Sequence, residues 1–118
     1  LKAATWTLTI RAGSRVDHEQ FDSLAAALEA LERNAAALAE DATREPVQFF
    51  GRRIDPVRQV AARLELAGPG ARGRQLRGGV DLRGDGSLEA FTGRVRRTVV
   101  ATHADESVPA ALARALAT

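Results

Sequence analysis

Eleven arginines lie between residues 46 and 103, where only five acids accompany them. A guanidinium is the side chain best shaped to grip a phosphate or carboxylate through parallel N–H donors. Six of these arginines form two clusters: Arg72, Arg74 and Arg77 in a glycine-rich loop region, and Arg94, Arg96 and Arg97 in the run GRVRR. These six are the candidate anion- or nucleic-acid-binding residues, because an extended basic ribbon can enter a major groove. Their facing is mixed. In an extended chain Arg94 and Arg96 share one side, whereas Arg97 lies with Val95 and Val99. The competing role for the arginines is pairing with Glu65, Asp81 and Glu89 on a solvated sheet face, where ion pairs contribute little stability. Sixteen of the seventeen basic residues are arginine and alanine is abundant, a composition that GC-rich coding also produces.

The remaining reactive residue types form no recognisable constellation. His18 and His103 are far apart, without H-x-x-x-H or HExxH spacing, and both read as exposed loop residues. The absence of cysteine excludes disulfides, thiol catalysis and thiolate metal sites. GPGARGRQLRGG is not followed by G-K-[ST] and does not join a strand to a helix, so it is neither a P-loop nor a dinucleotide fingerprint. No serine sits in a G-x-S-x-G context. Arg83-Gly84-Asp85 spells the adhesion tripeptide, but turn chemistry already accounts for Gly84, Asp85 and Gly86. No catalytic, cofactor or metal site is therefore assigned.

The elements that must position the arginines follow from periodicity. Trp6, Leu8 and Ile10 alternate with Thr5, Thr7, Thr9 and Arg11, a half-buried strand; Gly13-Ser14 turns the chain, and a brief pairing of Arg15 to His18 is expected before the helix. From about Asp17 to Thr43 the period changes: Phe21, Leu24, Leu28, Leu31, Ala35 and Leu38 trace one apolar face of a long helix, with Asp22 or Ser23 as its cap. Arg44-Glu45-Pro46 ends it. Val47 to Phe50 is a short β-prone run. Val60, Ala62, Leu64 and Leu66 alternate in a second clear strand, followed by a breaker-rich loop over Gly68–Arg74. Val80 and Leu82 continue into an Asp85-Gly86 turn, expected as type I′. Leu88 to Thr92 returns, Phe91 falls out of phase with Leu88 and Ala90, and Arg94 to Thr102 continues extended. Ser107, with Pro109 behind it, caps a short final helix.

These elements predict one α+β domain over residues 1–118. Its expected core is a single mostly antiparallel sheet of about five to six strands, with one long and one short helix packed on one face. Hairpin-plus-helix halves are suggested at about 5–43 and 79–117, where AAALEAL and AALARAL echo each other. The 118 residues are enough for one core without staples. No stretch reaches the roughly 18 apolar residues of a membrane span. LKAATWTLTI reads as a strand rather than a signal peptide, and a cytoplasmic location is expected.

Two resemblances add to this reading. WTLTIRAGSRV, DPVRQVAARLEL and GVDLRGDGSLEAFTGRVRR resemble small uncharacterised proteins of high-GC actinobacteria, which implies a lineage without an activity. DGSLEAFTGRVRRTVV and the following helix, residues 85–117, resemble the arm-binding or AP2-like DNA modules. Leu88 stands where their aromatic residue belongs, and their threonine-rich helix start is missing. The expectation is a non-enzymatic interaction or regulatory module, oligomeric through a sheet edge or the helix face. The alternative is a nucleic-acid-binding module using the arginine-rich strands and loop. No cofactor and no membrane partner are expected.

Overall fold

A computed structural model describes residues 5–44, 48–49, 52–53, 60–70, 73–93 and 96–117. The elements run β1 (Trp6–Ala12), β2 (Arg15–Phe21), α1 (Leu24–Arg44), β3 (Gln48–Phe49), β4 (Arg52–Arg53), β5 (Val60–Pro69), β6 (Gln75–Arg83), β7 (Leu88–Thr92), β8 (Thr98–Val100) and α2 (Val108–Leu116). Among the described residues, six strands form one sheet in the order β2-β1-β5-β6-β7-β8, every neighbouring pair antiparallel. β3 and β4 pair only with each other. The α+β expectation of one antiparallel sheet with a long and a short helix on one face is met.

Alternation decides which face the helices cover. Leu8, Leu64, Leu66, Val80 and Leu82 project from the sheet and are at most 1% exposed. They meet Ala27, Ala30, Leu31 and Ala35 of α1 and Leu112 and Leu116 of α2 in one apolar cluster. Each fully buried leucine contributes about 1.5–3 kcal/mol, so this layer carries the fold. α1 lies over β1, β2, β5 and β6, and α2 over β6, β7 and β8. The opposite, open face carries the residues of alternate parity, Thr9, Arg63, Glu65, Arg77, Asp81, Glu89 and Phe91 among them.

The structure corrects several boundaries. The helix begins at Leu24 rather than near Asp17, and the Ser23 hydroxyl accepts from the Ala26 amide at 3.1 Å as its cap. Arg15–Phe21 is instead an edge strand, exposed as far as Gln20, so nothing selects an alternating pattern there. His18 is therefore a strand residue, although an exposed one. Gly13 at φ 61° makes the tight β1–β2 turn, with the positive-φ glycine at the first central position that a type II′ hairpin requires.

Gly68 and Pro69, expected in a loop, extend β5 and pair with Leu76 and Gln75. Glycine is required at 68 because a Cβ would run into the Trp6 ring. Val60 departs from its alternating row across a register shift between Val60 and Ala62, and is 44% exposed. The hairpin tip is not type I′. Gly86 has φ 89°, while neither Gly84 nor Asp85 is at positive φ. Gly86 N–H donates to Arg83 C=O at 2.9 Å and Arg83 N–H donates to Ser87 C=O at 2.8 Å. This is the three-residue loop that ends on a left-handed glycine. Finally, the chain does not continue straight after Thr92. Gly93, at φ 93°, turns it back so that Thr98 pairs with Thr92.

Each of β1–β2–α1 and β7–β8–α2 reads hairpin then helix, the two at opposite edges of the sheet. At the second, the Ser107 hydroxyl accepts from Ala110 N–H at 3.2 Å and Pro109 occupies the first turn, as the sequence predicts. Among the described residues no helix is long and apolar enough to cross a membrane.

Candidate anion-binding end of the sheet

The open face has two electrostatic regimes. Across its middle, arginines meet carboxylates from adjacent strands. Arg63 on β5 stands opposite Asp81 on β6 and grips it with two bonds, Nε to Oδ1 at 2.6 Å and Nη2 to Oδ2 at 3.1 Å. Asp81 is only 8% exposed. Its bound carboxylate holds the Arg63 pKa above its already high ordinary value. Arg83 donates to Glu89 at 2.8 Å, and Arg11 lies 3.5 Å from Glu65. Glu65, Asp81 and Glu89, the three acids expected to pair with arginine, all do so.

Strand order creates the second regime. β6 starts beside the end of β5, with Pro69 opposite Gln75, and ends of β7 and β8 meet there too, with Gly78 opposite Thr92 and Thr92 opposite Thr98. The β5–β6 and β7–β8 turns therefore share one end of the sheet. Arg74, Arg77, Arg96 and Arg97 gather at that end. None of the four has a carboxylate partner among the described residues. Arg77 donates Nη2 to the Gln75 side-chain oxygen at 3.0 Å. Arg97 places its guanidinium carbon 4.9 Å from the centre of the Phe91 ring, a cation–π contact. The other two predicted residues, Arg72 and Arg94, lie outside the described residues.

The out-of-phase Phe91 is a seat for cations, a role its place in the sequence did not reveal. The residue is 4% exposed although it lies on the face without helices. It packs onto Gly79, directly opposite on β6, where an added Cβ would meet the Leu64 carbonyl and come within 3.0 Å of the ring. Arg63 approaches the same ring at 5.7 Å. The available signal was an out-of-phase aromatic on one strand and a double glycine, Gly78-Gly79, on its neighbour. A shallow cavity of about 280 Å³ opens beside this end, lined by Thr5, Gly68, Pro69, Gly73, Arg74 and Gln75.

The other motifs do not come together. His18 hydrogen-bonds through Nδ1 to Thr9 Oγ1 at 3.0 Å on the first edge hairpin. His103 follows β8 at the far edge, and its backbone N–H donates to Glu106 at 2.9 Å. Among the described residues no group of three or more His, Asp or Glu side chains is placed to hold a metal. The Arg-Gly-Asp tripeptide is knitted into its own hairpin. Arg83 is paired with Glu89, and Asp85 Oδ1 accepts from Ser87 Oγ at 2.6 Å and Ser87 N–H at 2.9 Å. Those two bonds from Ser87, the hydroxyl's first, lower the Asp85 pKa.

Comparison of the chain with protein-family models, with curated proteins and with solved structures returns no match. A functional reading must therefore come from the residues themselves.

Proposed function

We propose that the chain is a non-enzymatic binding module for a polyanion, nucleic acid being the class that fits, and that it binds through the arginine end of the sheet. One observation carries the proposal: four arginines without carboxylate partners among the described residues share one end, while the arginines across the middle of the same face are paired. A cation already neutralised has little left to offer a phosphate. A cluster left in water is attracted to any dense row of negative charge. Arginine also suits the task sterically, because its donor fork matches phosphate oxygens.

The sheet edges are less suited to the contact. β2 carries Arg15, Asp17, His18 and Glu19, and β8 has only three residues. Charge and shortness are both devices that discourage strand addition.

The test is fluorescence anisotropy of short labelled DNA and RNA with the protein, titrated between about 50 and 200 mM salt. Four phosphate contacts give a log–log salt slope near −3.6 on duplex DNA, roughly −0.9 per contact. The combined substitution Arg74→Ala, Arg77→Ala, Arg96→Ala and Arg97→Ala should abolish the low-salt binding. Absence of binding at low salt, or binding that survives the four substitutions, would remove the proposal.

A further inference from the structure

The four arginines are not equivalent. Arg74 and Arg96 are exposed and make no side-chain hydrogen bond, ion pair or ring contact among the described residues. Arg77 and Arg97 each have a side-chain support, and their backbones lie on either side of one residue. Gly93 N–H donates to the Arg77 carbonyl at 2.9 Å, and a Cβ on Gly93 would lie 3.7 Å from the Arg97 Cα. The two residues therefore flank Gly93. Both project on the open face, Arg77 by its place in β6 and Arg97 by its contact with the Phe91 ring. Gly93 is at φ 93° and a side chain there would collide with the Arg96 carbonyl, so only glycine permits the turn that folds Arg97 back over Phe91.

Each guanidinium has a fixed support. Phe91 supports Arg97 from below, and the Arg97 N–H groups have no hydrogen-bond partner among the described residues. Gln75 takes one Nη2 proton of Arg77 at 3.0 Å and leaves the other donors available. Resting on the polyanion reading above, we infer that Arg97 and Arg77, held on either side of Gly93, form a pre-set two-arginine fork that straddles neighbouring phosphates of one nucleic-acid backbone. This fork is the anchor of the site, and Phe91 is its positioning residue. Ordering a long, freely rotating side chain on binding costs conformational entropy. A guanidinium already laid on a ring avoids part of that cost. Arg74 and Arg96, by contrast, add charge without geometry. A fork on these phosphates reads the backbone and not the bases, because phosphate contacts carry no sequence directly.

The experiment separates charge from geometry. A short fluorescein-labelled DNA duplex is titrated with the wild-type protein and with Arg97→Lys, Phe91→Leu, the two combined, and Arg33→Ala on the outer side of α1 as a remote control. Circular dichroism confirms that each variant is folded. Arg97→Lys keeps the charge but loses the stack and the fork. It should weaken binding about three- to tenfold, with the salt slope unchanged. Phe91→Leu should cost a similar factor, and the double variant little more than either single one. If the wild type binds and Arg97→Lys binds equally tightly, the fork is wrong while the polyanion reading stands. If Phe91→Leu unfolds, the Arg97→Lys comparison alone still decides. Failure of the wild type to bind the duplex or its RNA counterpart removes both.

Discussion

The middle of the open sheet face and its arginine end are built from the same residue type, on strands in the one and mostly on their connecting turns in the other, and they differ in what surrounds each guanidinium. Arg63, 28% exposed at its side chain, closes on Asp81, 11% exposed, with two hydrogen bonds. A few residues up β6, Arg77 finds only an amide oxygen. Two long side chains held this way in the middle contribute to the shape of the sheet. At the end, charge is kept in water and stays available. The lesson is that arginine content alone says little about anion binding; what distinguishes the two regions is whether a carboxylate stands on the neighbouring strand. Phe91 marks their boundary, since it touches Arg63 on one side and Arg97 on the other.

The harshest way to break the comparison is to remove the seat at that boundary. Gly79→Ala would push a methyl group into the Leu64 carbonyl and against the Phe91 ring. Overfilling a packed site of this kind costs about 3 kcal/mol, the upper part of the usual range. Chemical denaturation should show the loss. Both regions should then suffer together, with weaker polyanion binding under conditions where the variant is still folded. A variant as stable as the wild type would mean that Phe91 does not lie on Gly79 as described.

A milder change converts one regime into the other. Asp81→Ala leaves Arg63 half-buried without its partner. Breaking a fully buried pair costs about 3–5 kcal/mol. Arg63 keeps some access to water, so about 2 kcal/mol is expected here, read from the urea midpoint. The same variant makes Arg63 an additional unpaired cation close to Arg97. Its polyanion binding should therefore hold or tighten, and its salt slope should steepen by up to about one contact. Loss of stability together with loss of binding would show that the matched and unmatched regions are not separable.

How much of this was legible follows from what each segment touches. α1 could be read because Leu24, Leu28, Leu31, Ala35 and Leu38 bury one side of it, and β1 and β5 because each has one dry face. β2 was legible only in its first half, as a brief pairing over Arg15–His18: with both sides of Arg15–Gln20 wet, no period of two was selected, and Phe21 and the charged residues before it passed for the start of the helix. Gly68-Pro69 looked like a breaker pair, but the glycine is there to admit Trp6 and the proline sits at a strand end. The ion pairs were foreseeable from charge alone. The gathering of Arg74, Arg77, Arg96 and Arg97 was not, because it depends on β6 lying between β5 and β7. That order is a tertiary fact, and residues 74 and 97 are remote in sequence. Reading Arg94–Thr102 as one extended run hid it further, since the reversal at Gly93 is what returns Arg97 to the face of Phe91.

The smallest expected effect tests whether pairing marks structural arginines elsewhere in the molecule. Beyond the sheet, Arg114 of α2 donates to both carboxylate oxygens of Glu106, at 3.0 and 3.1 Å, and to the Ala101 carbonyl at 2.8 Å. Glu106 also accepts the His103 backbone N–H. The clasp ties the helix to the segment leaving β8, through a turn with Asp105 at φ 64°. Arg114 first and the His103 amide second pull the Glu106 pKa down to about 2. A carboxylate whose folded pKa is depressed stabilises the fold above its ordinary unfolded value, and that contribution is lost as pH falls from there through about 2. Glu106→Gln should therefore lower the urea midpoint slightly at neutral pH. The gap to the wild type should narrow below about pH 4.5 and close near pH 2, because the wild-type carboxyl is by then protonated as well. A gap that stays constant down to that pH would mean that the clasp acts through its shape and not through its charge, and pairing would then cease to be a guide to what an arginine in this protein does.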